Sequence, residues 1–286
     1  ARLMLRFTPG IECHTHDYIR TGHIDSKFGF DPDQLENVLH ILKDKQWASI
    51  QGLHAHIGSQ IFELQPHQDL ASVMADAYQL AKQIGHPVKD INIGGGLGIR
   101  YIQKDDPPSI DDWVKCVASS VEKAFQERNL KLPRLMIEPG RSLVATAGIT
   151  LYKLGSIKEI PGIRKYISID GGMSDNPRPI TYQSLYTACL ADRPIELPQK
   201  PVTIAGKHCE SGDVLIKDCL LPVCKSGEIL VIFSTGAYNA SMSSNYNRIP
   251  RPASVLVHKG NSELIQKREK PEDLLRFDLV PERLKR

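Results

Sequence analysis

The sequence predicts an α/β plus β fold: half of a parallel (β/α)8 barrel, followed by an antiparallel β-domain. Three observations lead there. From residue 1 to about residue 147, strand-like apolar runs alternate with helix-like ones, the pattern of parallel βα units. Beyond residue 148 the chain changes to short β-branched runs separated by Gly, Pro, Asn and Asp, the pattern of antiparallel strands. In the first part, apolar runs stop abruptly on polar groups: Leu135-Met136-Ile137 on Glu138-Pro139-Gly140-Arg141, Leu53-His54-Ala55-His56-Ile57 on Gly58-Ser59, Ile91-Asn92-Ile93 on Gly94-Gly95-Gly96, and Met4-Leu5-Arg6-Phe7 on Thr8-Pro9-Gly10. Polar groups converging at strand ends are expected on the active face of a parallel barrel.

The elements follow in order. Strands are expected near residues 3–8, 50–57, 90–94 and 134–138, the last read as a buried strand. Between them, Asp31-Pro32 supplies an N-cap and a first-turn proline to a helix whose Leu35, Val38, Leu39 and Leu42 recur at helical spacing. Residues 68–84 and 111–128 repeat that periodicity, with Leu70, Met74, Leu80 and Ile84 in one and Trp113, Val117, Val121 and Phe125 in the other. Four βα units make half of an eight-stranded barrel, giving a first domain over 1–147 and a β-domain over 148–286. Strands in the second are expected at 149–154, 166–169, 202–205, 214–216, 229–233 and 254–257, and a short helix near Pro271 to Leu275.

Composition excludes several function classes. With 286 residues and 41% hydrophobic content the chain can bury a sizeable core. Its 36 basic and 33 acidic residues leave a net charge of +3 with no basic block, so neither nucleic acid nor an anionic membrane is an expected partner. No window is apolar for the length of a membrane span. Six cysteines (Cys13, Cys116, Cys189, Cys209, Cys219, Cys224) contain no C-x-x-C pair and are too sparse for a disulfide scaffold, which suits reduced thiols in a cytoplasmic compartment, or in a plastid if the source is photosynthetic. Ala1 leads straight into a strand without a methionine, so the chain reads as a piece of a longer one.

Several constellations carry chemistry, each with a bland alternative. The Gly94-Gly95-Gly96 turn, with Gly98 after it, exposes N–H groups suited to a phosphate, or is merely a tight βα turn. His54 and His56, two apart, share one face of a strand. They fit a metal, a stacking partner for a flat cofactor with Ser59 reaching its phosphate, or the core. Metal ranks low because no other strand end supplies a histidine, His14 and His16 lying in a loop. Glu138 and Arg141 either pair across their turn or act as a buried carboxylate beside a phosphate-binding guanidinium. The latter is the arrangement pyridoxal phosphate needs, since an acid keeps the pyridine nitrogen protonated. Cys209 and Glu210, in a Gly-containing loop, are a proton donor and substrate-contact pair or an inert thiol beside a surface acid. Arg178, ending a polar loop with Tyr182 close behind, suits a substrate carboxylate or meets only water, and Tyr238 offers a hydroxyl or packs.

Taken in order, these motifs resemble a known family. His-x-His-Ile-Gly-Ser at 54–59, Gly-Gly-Gly at 94–96, Glu-Pro-Gly-Arg at 138–141, Asp-Gly-Gly-Met-Ser-Asp-Asn-Pro-Arg-Pro at 170–179, Cys-Glu-Ser-Gly-Asp at 209–213 and Gly-Ala-Tyr at 236–238 are similar to those of the pyridoxal-phosphate decarboxylases with an alanine-racemase-type barrel, and within them to the diaminopimelate branch. The resemblance implies the C-terminal half of a pyridoxal-phosphate-binding barrel, with pyridoxal 5′-phosphate as cofactor. His56 would stack on the pyridine ring, Ser59 and Gly94 to Gly96 would hold the phosphate, Glu138 would bind the ring nitrogen, and Arg141 would reach cofactor and substrate. Arg178, Tyr182, Glu210 and Tyr238 would shape the substrate pocket, Tyr238 also touching the cofactor. Cys209 would protonate the product at the interface of a homodimer. The implied reaction removes the D-centre carboxylate of meso-2,6-diaminopimelate to give L-lysine and carbon dioxide.

The resemblance also shows a departure. The family anchors its cofactor on a lysine in a Tyr-Ala-x-Lys-Ala type of motif on the first barrel strand, and that motif does not occur in this sequence. The expectation is a chain lacking its N-terminal part and inactive alone. Alternatives are a truncated homologue that binds a full-length partner, a decarboxylase of arginine, ornithine or carboxynorspermidine, and a metal-dependent hydrolase.

Overall fold

The structure, a computed structural model, describes residues 1–11 and 27–285, so Cys13, His14 and His16 lie outside the described residues. Contacts divide the chain into Ala1–Ala145 and Thr146–Arg286.

The first unit alternates β1 (Arg2–Arg6), α1 (Pro32–Lys43), β2 (Ser49–His54), α2 (Gln65–Ile84), β3 (Asp90–Asn92), α3 (Ile110–Glu127), β4 (Arg134–Met136) and α4 (Gly140–Val144). The four strands form one parallel sheet in the order β1-β2-β3-β4, with Arg6 opposite His54, His54 opposite Asn92, and Asn92 opposite Met136. That is the expected half barrel. Two of its helices, α1 and α3, start on a capping side chain: Asp31 accepts the Asp33 N–H at 3.0 Å before Pro32, and Ser109 accepts the Asp112 N–H at 3.1 Å. Leu39, Leu53, Leu70, Met74, Ile91, Trp113 and Phe125 build a fully buried core between sheet and helices.

Two expectations need correction. The strands stop earlier than their apolar runs: β2 ends at His54, β3 at Asn92 and β4 at Met136, leaving His56, Gly94 and Glu138 in the turns beyond. Nor is the last strand buried. β4 is a sheet edge, where Met136 and Ile137 remain 36% and 38% exposed, and the Glu138 side chain is 53% exposed.

The second unit contains β5 (Thr150–Ile160), β6 (Arg164–Ile169), α5 (Arg178–Tyr182), β7 (Ala188–Leu190), β8 (Lys200–Ala205), β9 (Val214–Leu221), β10 (Ile229–Ile232), α6 (Asn239–Met242), β11 (Ser254–His258), β12 (Asn261–Gln266) and α7 (Pro271–Leu275). Six strands form one sheet in the order β7-β10-β5-β6-β8-β9, and β11 and β12 form a separate hairpin. Every pair is antiparallel except β6 with β8, which run parallel across a crossover that contains α5 and β7. No helix among the described residues is long and apolar enough to cross a membrane.

Candidate cofactor site

In the first unit the turns after β2, β3 and β4 meet. Asn92, the last residue of β3 and 5% exposed, turns its side chain between two of them. Its Nδ2 donates to Glu138 Oε1 at 2.7 Å, and its Oδ1 accepts the Gly94 N–H at 2.9 Å. The backbone adds a second tie, the Glu138 N–H donating to the Gly94 carbonyl at 2.8 Å. Glu138 is further approached by His54, whose Nε2 lies 3.6 Å from Oε1, an electrostatic contact longer than a hydrogen bond. Its partners are therefore Asn92 and His54 rather than Arg141.

The glycines are required by close approach. A Cβ on Gly94 would stand 2.5 Å from His56 Nδ1, on Gly95 2.3 Å from the Glu138 carbonyl oxygen, and on Gly96 2.7 Å from the Gly58 carbonyl oxygen. Gly94 and Gly96 also hold positive φ, 69° and 107°. The Gly94 N–H is taken by Asn92, and the Gly95 N–H donates to His56 Nδ1 at 3.2 Å. The Gly96 N–H makes no hydrogen bond among the described residues, and the residue packs against Gly58, which precedes Ser59.

His56 is neutral at ordinary pH. Burial, helped by the charges of Arg6 and His54, pushes its pKa down to about 4. Because Nδ1 accepts from Gly95, the neutral ring carries its proton on Nε2. Burial likewise lowers His54, against the opposing pull of Glu138.

Arg141 sits in the first turn of α4 and is 6% exposed. Its guanidinium donates from Nη2 to Ser59 Oγ and from Nη1 to the Tyr101 hydroxyl, both at 2.7 Å. Tyr101 and Asn92 are members of this cluster that sequence reasoning passed over. Asn92 stood inside an apolar run and Tyr101 five residues beyond the last glycine of the turn, neither in a motif. Arg6 is a third, its electrostatics coupled to Glu138, His54 and His56.

In the second unit Arg178 opens α5, 5% exposed, and its Nη1 donates to the Tyr186 hydroxyl at 2.9 Å. Its guanidinium also lies 5.4 Å from the centre of the Tyr238 ring. Tyr238 is 43% exposed with φ at 71°, a conformation that tyrosine rarely adopts. Tyr182, half-buried, ends α5. Cys209 and Glu210 are exposed. The Cys209 N–H donates to Asn247 Oδ1 at 3.3 Å, while Glu210 accepts from the Gly212 N–H at 3.3 Å and the Tyr246 hydroxyl at 3.5 Å. Beneath them, the buried Asp213 carboxylate accepts the Met173 N–H at 2.7 Å and the His208 N–H at 2.9 Å, tying the loop at 170–176 to the loop at 207–213. Among the described residues no three His, Cys, Asp or Glu side chains are grouped as metal ligands.

Residues 1–145 match the family model described as pyridoxal-dependent decarboxylase, pyridoxal binding domain. The chain belongs to the pyridoxal-dependent decarboxylase family. It is 56% identical to the diaminopimelate decarboxylase of Synechocystis sp., covering 99% of this chain and 60% of that protein. With the Bacillus subtilis enzyme of the same name it shares 46% over 97% of this chain and 64% of the other. The solved diaminopimelate decarboxylase of M. jannaschii, in complex with L-lysine, superposes with a TM-score of 0.90 at 35% identity, covering 99% of this chain and 65% of that one. The chain of this decarboxylase-family protein thus spans about three-fifths to two-thirds of the relatives it matches. A viral arginine decarboxylase, at 19% identity and a TM-score of 0.72, shares the fold alone.

Proposed function

We propose that the protein serves as a pyridoxal 5′-phosphate-dependent carboxy-lyase that removes the D-centre carboxylate of meso-2,6-diaminopimelate to yield L-lysine and carbon dioxide, with this chain, whose sequence holds no Tyr-Ala-x-Lys-Ala motif, inactive alone. The observation that carries this reading is the cluster of Glu138, neutral His56, the Gly96 N–H, Ser59 and Arg141 around three adjoining turns. These residues fit the cofactor. Ser59, the buried Arg141 cation and the Gly96 N–H, which has no acceptor among the described residues, would serve as donors to a phosphate. The flat, uncharged His56 ring suits stacking on a pyridine, and the accessible Glu138 carboxylate suits a protonated ring nitrogen. Bound there, the cofactor supplies an electron sink for the charge left when carbon dioxide departs.

The chain's own residues orient and protonate. Arg178, stiffened by Tyr186 and Tyr238, takes the substrate carboxylate far from the reacting centre, and Glu210 takes the ammonium beside it. Tyr182 and Tyr238 line the pocket, and Cys209 delivers the proton to the carbon that lost its carboxylate. This reading has a homodimer in the cytoplasm, or in a plastid if the source is a photosynthetic eukaryote, with the Cys209-Glu210 loop serving the partner's site. The substrate assignment is supported by the names of the relatives and by the L-lysine held in the M. jannaschii complex.

The test is selectivity of the cofactor-loaded chain. It should bind meso-diaminopimelate at least about tenfold more tightly than cadaverine, which lacks both carboxylates, and Arg178→Ala should erase most of that preference. Equal binding of the two ligands by the parent would contradict the substrate assignment.

A further inference from the structure

We propose that Asn92 is a positioning residue that fixes the carboxylate of Glu138 against the glycine turn, and so sets the span between the acid and the phosphate donors. The inference rests on the reading that the first unit holds pyridoxal phosphate. One amide reaches both halves of the site, donating to Glu138 at 2.7 Å and accepting from Gly94 at 2.9 Å. Its orientation is dictated by both neighbours: a carboxylate oxygen only accepts and a backbone N–H only donates, so a flipped amide would break both bonds. The residue cannot drift. Its backbone sits between β2 and β4, its carbonyl accepting the Ala55 N–H at 2.9 Å, and it is 5% exposed. Glu138, by contrast, is half-exposed on an edge turn, so among the described residues the Asn92 amide is the direct side-chain hydrogen bond that aims it.

Asn92→Asp separates the two roles. The substitution keeps an acceptor for Gly94 but places a carboxylate against Glu138, and two carboxylates at such a distance hold one proton between them. With that proton present, the introduced carboxyl group donates as the amide does; without it, the two acids repel. The other titratable and charged groups around this point are Arg6 on β1, His54 on β2, His56 beyond it, and Asp90 on β3, paired with Arg134 of β4. All are common to parent and variant, so the ratio of their affinities removes the titration of the ligand and of every group that does not couple to the introduced carboxyl, leaving the shared proton and what it couples to.

The experiment titrates the 286-residue chain, its Asn92→Asp variant and its Asn92→Ala variant with pyridoxal 5′-phosphate between about pH 5.5 and 8.5, with circular dichroism as the check on folding. At the alkaline end both variants should bind about tenfold more weakly than the parent. On acidification Asn92→Asp should return to within about twofold of the parent, whereas Asn92→Ala stays weak at every pH. Loss of packing alone would give Asn92→Asp no such recovery. A parent that binds while Asn92→Asp matches it at the alkaline end, or stays weak at the acid end, overturns the inference alone. A folded parent that takes up no pyridoxal phosphate overturns the functional reading and the inference with it. Should Asn92→Asp not fold, Asn92→Ala decides: affinity equal to the parent's overturns the proposal.

Discussion

Arg141 is held by two hydroxyls, and removing one of them separates placement from charge. Tyr101→Phe deletes the acceptor at 2.7 Å and leaves the ring beside the guanidinium. A hydrogen bond to a charged group contributes about 1.5–3 kcal/mol, so pyridoxal phosphate affinity should fall roughly tenfold or more with the fold intact; unchanged affinity would show that the Tyr101 hydroxyl is not needed to place Arg141. Two histidines set an acid limit. Burial holds His56 and His67 at about 4, against 6.5 for an unfolded histidine, so protons bind the unfolded chain first as the pH drops. Stability present above about pH 6.5 is therefore lost as the pH falls to about 4, by at most about 3 kcal/mol per histidine. Urea midpoints should decline across that window, and His67→Phe, in a buried site edge-on to Trp113, should flatten the decline; an unchanged slope would contradict this. At this scale the sequence made the motif residues legible because their types are chemically unusual at strand ends. It hid Asn92 and Tyr101, whose meaning lies in neighbours 46 and 40 positions away.

The glycine turn shows how an element positions chemistry through what it leaves out. With Gly95 packed on the Glu138 carbonyl, Gly95→Ala must push the two turns apart, since its Cβ would be 2.3 Å from a backbone atom that cannot rotate away. The expected outcome is a loss of pyridoxal phosphate affinity beyond about tenfold together with a lower melting temperature; a variant that binds and melts like the parent would mean the turns tolerate separation. Helices were the most legible elements, because α1, α2 and α3 combine helix-start or helix-stop residues with a long apolar period. Strand ends were less so, since apolar residues continue past the last ladder bond and β4 leaves Met136 and Ile137 on an open edge. β7 is three residues long, too short to show a period, and β12 is exposed at every position, so it has no buried face to alternate. The parallel pairing of β6 with β8 was not readable, because local pattern gives the existence of a strand but not its neighbour.

For the whole molecule, the division into two units follows the change in pattern from βα alternation to short β-branched strands, and the family match over residues 1–145 coincides with the first of them. That unit carries the cofactor reading by itself, with cation, hydroxyl, backbone N–H and carboxylate all drawn from its own turns. On the proposed reading Glu138 faces the ring nitrogen of pyridoxal phosphate. The most direct measurement is an absorbance titration of the chain and its Glu138→Gln variant with pyridoxal 5′-phosphate, both verified as folded. One saturable site per chain, weakened about tenfold or more in the variant, is the expected result. No saturable uptake by the parent, or equal affinity in the two, would contradict it.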